Sequence, residues 1–449
     1  MNRPDSPAMQ SLRAMARRIY DAALRSADPD PLVRRLLAVR GRTVLVDGMP
    51  LPLGEQGRVI ILAAGKAAAA MAHAAEQQLD RLAIEGLVVL RETCGIPLSL
   101  PTLVAGHPLP DDRSVDAALR MLELAGGAVS GDLVLCLFSG GASALLTAPA
   151  PPLNLEHLRR TTGLLLRSGA CIGRINCVRK HLSSIKGGLL ARAAEPAARA
   201  TLLLSDVVGD RPEVIASGPT VPDPSTFAQA LEVLDRCGVR EEVPRPVLNR
   251  LLAGSAGAIE ETPGPGHPCF QHSITRVAGS NRTALEGAAV EARSLGCRVA
   301  IRKQPVTGEA RTAAALVLSA LKSRTAGSSS PPLCFISGGE TTVILPERHG
   351  TGGRNMELAL AAAPLLTKVP AAVLLSAGTD GSDGPTRAAG AIADSRTLQR
   401  SVLAGFDPQS ALDSHDTFPL FHALEDLVFT GPTGTNVMDI QILLADHRE

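Results

Sequence analysis

Leu133-Val134-Leu135-Cys136-Leu137-Phe138-Ser139-Gly140-Gly141-Ala142-Ser143-Ala144-Leu145 reads as an unbroken apolar run, a glycine turn and a helix start. Without polar alternation, such a run suits a strand covered on both faces, as in a parallel sheet. The carboxyl end of such a strand is where open α/β sheets bind ligands. The design recurs on either side. Upstream, the run from Arg58 to Ala64 leads through Gly65-Lys66 into Ala67-Ala68-Ala69-Ala70. Downstream, Leu333-Cys334-Phe335-Ile336-Ser337-Gly338-Gly339-Glu340-Thr341-Thr342 repeats the Ser-Gly-Gly motif, which reads as a glycine-rich turn between two strands. Alternation of buried strands and helices along the chain predicts an α/β protein with mostly parallel sheets.

Beyond that second motif, Gly350-Thr351-Gly352-Gly353-Arg354-Asn355 opens an alanine-rich helix. Unpaired N–H groups and the positive end of a helix dipole favour an anion there, and Arg354 adds a charged fork. The plainer alternative is a hairpin followed by a helix cap, but a cap needs one polar residue rather than three glycines and an arginine. Lysine is scarce, occurring at 66, 180, 186, 303, 322 and 368, and both Lys66 and Lys186 adjoin glycines. A compact ammonium beside a flexible turn suits phosphate oxygens. Gly65-Lys66 lacks the full phosphate-loop pattern, so it is no Walker A site.

Carboxylates follow two further apolar runs. Asp206 and Asp210 come after Thr201–Leu204, and Asp380 and Asp383 after Val373–Gly378. Such pairs suit Mg²⁺ or the acceptance of a proton, against the alternative that they cap neighbouring N–H groups. Near the end, Gly431-Pro432-Thr433-Gly434-Thr435-Asn436 makes a hydroxyl-rich turn before an apolar tail. Between Ala27 and Gly57 the chain reads as a connector, and Gly/Pro-rich runs at Gly254–His267 and Thr325–Pro332 read as linkers.

Composition narrows the functions. With 449 residues, 45% hydrophobic and 20% charged, the chain can form two or three globular domains. A net charge of +1 and 2% aromatics leave no footprint for nucleic acid or an acidic membrane. The eight cysteines are scattered without zinc or thioredoxin spacing, which predicts a reducing cytoplasm. Leu12, Met15, Ile19 and Ala22 form the stripe of an amphipathic first helix, with no apolar signal core.

The ordered set of Gly65-Lys66-Ala67-Ala68, Gly106-His107-Pro108, Ser139-Gly140-Gly141-Ala142-Ser143, Lys186-Gly187-Gly188, Ser205-Asp206-Val207-Val208-Gly209-Asp210, Ser217-Gly218-Pro219-Thr220, Ser337-Gly338-Gly339-Glu340, Gly352-Gly353-Arg354-Asn355, Gly378-Thr379-Asp380-Gly381 and Gly431–Asn436 resembles the glycerate 2-kinase family, whose C-terminal half is called the MOFRL domain. The resemblance implies two α/β domains, 1–265 and 266–449, with the active site in the cleft between them. It implies ATP- and Mg²⁺-dependent phosphorylation of the C2 hydroxyl of D-glycerate in the cytoplasm, with a homodimer as one assembly to test. Lys66 and Arg354 match the catalytic cations, with Asp206 as the acid beside them. Ser139, Gly140, Gly141, Ser143, Lys186, Ser337, Gly338, Gly339, Glu340, Asn355, Thr435 and Asn436 are the expected nucleotide-binding set. Asp206, Asp210, Asp380 and Asp383 are the expected metal ligands.

Two rivals are weighed against this reading. A nicotinamide-dependent hydroxypyruvate reductase should show G-x-G-x-x-G after a strand, with an acid about 20 residues on, and the sequence lacks that pattern. A non-catalytic binder of sugar phosphates would use the same turns without needing the acids.

Overall fold

The computed structural model describes residues 7–322, 331–369 and 371–446, so most of the expected 325–332 linker lies outside the described residues. The chain divides into two compact units. One spans Pro29–Ala278, and the other joins the N-terminal helix to the chain from Gly279 onward. The division falls beyond the 265/266 boundary that the resemblance implies, which lies within the Gly/Pro-rich run Gly254–His267. That run is tied into the first unit: the Pro263 carbonyl accepts the Asp223 N–H at 2.9 Å, and Thr262 Oγ1 donates to Asp223 Oδ2 at 3.0 Å.

The first unit is built on a six-stranded sheet in the order Thr102–Val104, Ile84–Leu90, Val59–Ala64, Leu133–Phe138, Ala198–Leu204, Ser273–Gly279. Every residue of Val59–Ala64 and Leu133–Phe138 is buried, as strands covered on both faces must be. Ala64 lies opposite Phe138, and Phe138 opposite Leu203, all in parallel pairs. Level strand ends set the loops that follow at residues 65, 139 and 205 side by side. The expected connector contains a small antiparallel sheet, Leu37–Arg40, Thr43–Val46 and Met49–Pro52. A separate helical layer, including Ile172–His181 and Phe227–Arg236, closes on Leu165, Val178, Phe227, Leu234 and Leu251.

The second unit carries a mixed sheet, so the expectation of mostly parallel strands holds for the first unit alone. Its order is Arg298–Ile301, Leu333–Thr342, Asp439–Asp446, Ala371–Gly378, Gly390–Asp394, Leu427–Val428, with Val306–Glu309 also paired to Leu333–Thr342. Asp439–Asp446, buried at all eight positions, enters antiparallel between Leu333–Thr342 and Ala371–Gly378. The N-terminal helix, Pro7–Ser26, buries Leu12, Ala16, Ile19, Tyr20 and Ala23, a stripe that leaves Met15 only partly covered.

Ser337-Gly338-Gly339 is not the expected turn. Leu333–Thr342 is one continuous strand, with Gly338 opposite Ile440 and Gly339 opposite Asp439. Gly339 serves a close approach: at φ +146 a Cβ there would lie 2.3 Å from the Val306 carbonyl oxygen of the neighbouring strand. The second Ser-Gly-Gly therefore serves strand packing, unlike the turn at 139–141 that it resembles in sequence.

Candidate active site

In the first unit two turns dock on each other through the backbone. The Lys66 N–H donates to the Gly140 carbonyl at 2.9 Å, and the Ala67 N–H to Ser139 Oγ at 3.0 Å. Contact is so close at Gly65, φ +125, that a Cβ would lie 2.2 Å from Ser139 Oγ. Ser139 is fully buried, so its hydroxyl holds the turn rather than facing a ligand. Gly141, at φ +86, is the point where side chains gather, since a Cβ there would meet His107 Nε2 at 3.0 Å and Lys66 Cγ at 3.6 Å. Lys66 is partly buried at this turn, between the strand end and the helix Ala68–Gln78.

Lys186 belongs to the support of this loop. Its ammonium is buried and donates to the Ser143 carbonyl at 2.7 Å and the Leu146 carbonyl at 2.8 Å. Burial, reinforced by the charge of Arg179, lowers its pKa well below the ordinary lysine value. The expected nucleotide contact through this ammonium is thereby replaced by a structural one. Ser143 is only partly buried, and its hydroxyl meets that of Ser217 at 2.5 Å. Asp206 and Asp210 follow the Ala198–Leu204 strand in a turn where Asp210 takes a left-handed φ of 52.

In the second unit Arg354 is the first residue of the helix Arg354–Leu366. Its Nε and Nη2 donate to the two oxygens of Asp439 at 2.6 and 2.9 Å, and Nη1 lies 2.9 Å from Glu340 Oε1. Burial opposes the charge, but Asp439 and Glu340 prevail and raise the guanidinium pKa above its ordinary value. Asp439 is fully buried at the start of the central strand. Its surroundings are fixed from several directions. Asn281 Nδ2 donates to the Val437 and Asp439 carbonyls at 2.8 and 3.0 Å, and Thr379 Oγ1 to the Met438 carbonyl at 2.7 Å. Tyr20, the one tyrosine, donates to the Gly378 carbonyl at 2.6 Å, and burial with the nearby Asp439 and Asp380 charges raises its pKa.

Several expected ligand contacts prove internal. Asp383, expected on a metal, accepts the Asn355 and Met356 N–H groups at 3.1 and 2.9 Å and so caps the helix that was expected to hold a free anion. Asn355 is buried with its Oδ1 on the Ser376 hydroxyl at 2.6 Å, and Ser337 is buried with its hydroxyl on Gln441 at 3.0 Å. Thr435 is buried, donating to the Ala27 carbonyl at 2.7 Å, and Asn436 beside it is 8% exposed. Glu340, by contrast, is exposed next to Arg354, and Asp380 is partly buried with Oδ1 accepting the Ser382 N–H at 3.2 Å. Asp439 was not singled out from sequence, although an acid heading an apolar run was a local signal, and His107 entered only within the Gly106-His107-Pro108 motif.

Asp383 carries a pH prediction. Burial pushes its carboxyl up to about 7, while the Met356 and Asn355 N–H groups pull the other way. Between the ordinary carboxylate pKa and that value the folded protein holds a proton that the unfolded chain has released, so stability falls as pH rises through this window. Asp383→Asn should flatten that fall. Urea unfolding at pH 5 and pH 7.5 checks it, and equal slopes in wild type and variant would refute it.

Among known proteins, residues 15–252 match a domain of unknown function (DUF4147) and residues 333–439 match the MOFRL family. The chain is 37% identical over 440 residues to a glycerate 2-kinase of Pyrococcus horikoshii, covering 97% of this chain and 98% of that protein. It is 38% identical over 440 residues to a D-glycerate 2-kinase of Thermotoga maritima, covering 96% and 98%. A protein of Agrobacterium vitis provisionally named a hydroxypyruvate reductase is 40% identical over 438 residues, covering 97% and 94%. The crystal structure of a Thermotoga maritima glycerate kinase matches with a TM-score of 0.81 at 36% identity, covering 97% of this chain and all of the other. With motifs, fold and near-complete alignment in agreement, the chain belongs to the glycerate kinase family that carries the MOFRL domain.

Proposed function

We propose that the protein transfers the γ-phosphoryl group of ATP to the C2 hydroxyl of D-glycerate, giving 2-phosphoglycerate and ADP. The observation that carries this reading is the backbone-locked turn at Gly65-Lys66-Ala67, which fixes a lysine at the ends of two parallel strands. Phosphoryl transfer is mostly positioning and charge stabilisation, and a fixed ammonium supplies both. The C2 oxygen forms a bond to the γ-phosphorus as the bond to the β-phosphate oxygen breaks. The hydroxyl proton passes to a base, a role assigned to Asp206, and Lys66 and Arg354 are the cations assigned to the phosphoryl group.

Mg²⁺ ordinarily keeps several waters and takes one or two protein carboxylates along with phosphate oxygens. Among the described residues no three His, Cys, Asp or Glu side chains form a cage, and that modest donor set is what such an ion uses. Asp383 does not fit, because both its oxygens accept helix N–H groups. Asp206 and Asp380, partly buried just past strand ends, fit best, with Asp210 on the same turn as Asp206. When bound with ATP, the ion would neutralise charge on the phosphate oxygens. Asp206→Asn and Asp380→Asn should each raise the Mg²⁺ concentration for half-maximal rate about tenfold or more, in line with ordinary losses of a metal ligand's support. Unchanged Mg²⁺ dependence in both removes these acids from the metal site.

All eight cysteines are free thiols and no described helix is long and apolar enough to cross a membrane, which supports a cytoplasmic setting. The deciding assay supplies ATP, D-glycerate and Mg²⁺ with enolase as the coupling enzyme, which acts on 2-phosphoglycerate directly, and is run beside NADH plus hydroxypyruvate. Signal only in the first supports the kinase. Signal only in the second overturns it.

A further inference from the structure

One cation of the first unit has no anionic partner among the described residues. Arg179 lies on the helix Ile172–His181, partly buried, and its sole hydrogen bond among the described residues runs from Nη2 to the Ser143 carbonyl at 3.2 Å. No carboxylate among the described residues pairs with it, and burial alone lowers its pKa. It stands beside a second buried cation, since Lys186 Nζ donates to the same Ser143 carbonyl at 2.7 Å. Two neighbouring cations without an acid are costly in a folded chain unless an anion arrives.

A neighbouring amide is a donor as well. Asn176 is one turn earlier on the same helix face as Arg179. Its Oδ1 accepts the Ser217 hydroxyl at 3.2 Å, which leaves its Nδ2 without a partner among the described residues. Ser217 in turn meets Ser143 at 2.5 Å. The guanidinium fork and an amide N–H₂ thus share one helix face, beside the loop whose Gly141 carries Lys66 and His107 on its flank. Lys66 and Arg354 are assigned above to the phosphoryl group, and a triphosphate would ask for more positive charge than one unpaired arginine. A single planar anion matches the fork.

We propose that Arg179, with the Asn176 amide N–H₂, binds the C1 carboxylate of the 2-hydroxy acid acceptor. The proposal rests on the kinase reading above for the identity of the acid, but not for the existence of the site. Arg179 is then the residue that makes the enzyme select a hydroxy acid over a neutral polyol.

The test compares D-glycerate with its uncharged methyl ester. In the wild type, calorimetric titration without ATP should show D-glycerate binding at least tenfold tighter than the ester, the range expected of a charge-assisted pair. Arg179→Gln should raise KM for D-glycerate about tenfold to a hundredfold, leave KM for ATP within about threefold, and bring the acid and the ester to similar affinity. Arg179→Lys, which keeps the charge and loses the fork, should fall between. Equal binding of acid and ester by the wild type overturns the proposal even if Arg179→Gln fails to fold. So does a rise in KM for ATP alone, or full discrimination retained by a folded variant. Wild-type binding of D-glycerate without phosphoryl transfer would instead overturn the kinase reading and leave this site standing.

Discussion

Lys66→Ala should lower kcat by about a hundredfold to a thousandfold, the scale seen when a fixed donor to a developing charge is removed, while the thermal midpoint barely moves. The expectation follows from how the turn is held. Backbone groups and the Ser139 hydroxyl dock it: the Lys66 N–H donates to the Gly140 carbonyl and the Ala67 N–H to Ser139 Oγ. These backbone contacts survive the substitution, and alanine suits the start of the helix Ala68–Gln78. Steady-state kinetics beside a melting curve distinguishes the roles. A variant that melts early, and whose folded fraction turns over normally, would make Lys66 structural.

The second large effect belongs to Arg354, and the structure dictates which substitution is informative. Arg354→Ala would strand the Asp439 carboxylate, which is 1% exposed, without its bidentate partner. Breaking a buried pair in this way costs about 3–5 kcal/mol, so lost activity would be indistinguishable from lost fold. Arg354→Lys keeps a cation beside Asp439 and removes the fork. A phosphoryl group in transfer spreads its charge over three equatorial oxygens, which a planar guanidinium follows better than a point ammonium. The lysine variant should therefore lose kcat by about a hundredfold with KM for D-glycerate little changed. A rise in KM with normal kcat would assign Arg354 to ground-state binding, and normal values of both would leave it as the counter-ion of Asp439.

Asp439 itself sharpens this test. Its carboxylate grips Nε and Nη2, which leaves Nη1 on the exposed Glu340 as the side of the fork open to exchange for a phosphate oxygen. Glu340, expected to bind nucleotide, is the exposed partner of that nitrogen.

Local pattern was enough for the first unit's framework. The apolar runs at 59–64 and 133–138 each end in a glycine turn and a helix, and burial on both faces suits the parallel strands they form. Lys66 stood out because lysine is scarce and its turn is short. What the sequence could not settle is everything decided by a distant partner. Ser-Gly-Gly is a turn at 139–141 and mid-strand at 337–339, because Asp439–Asp446 pairs along the second and nothing within ten residues announces it. Lys186 and Asp383 read as ligand-facing charges, yet their partners, the Ser143 carbonyl and the Asn355 N–H, lie 43 and 28 residues away. A short segment determines its own apolar periodicity and turn chemistry. Which charges are buried, and against what, is settled by tertiary contacts, since only they remove water from a side chain and supply the group that replaces it.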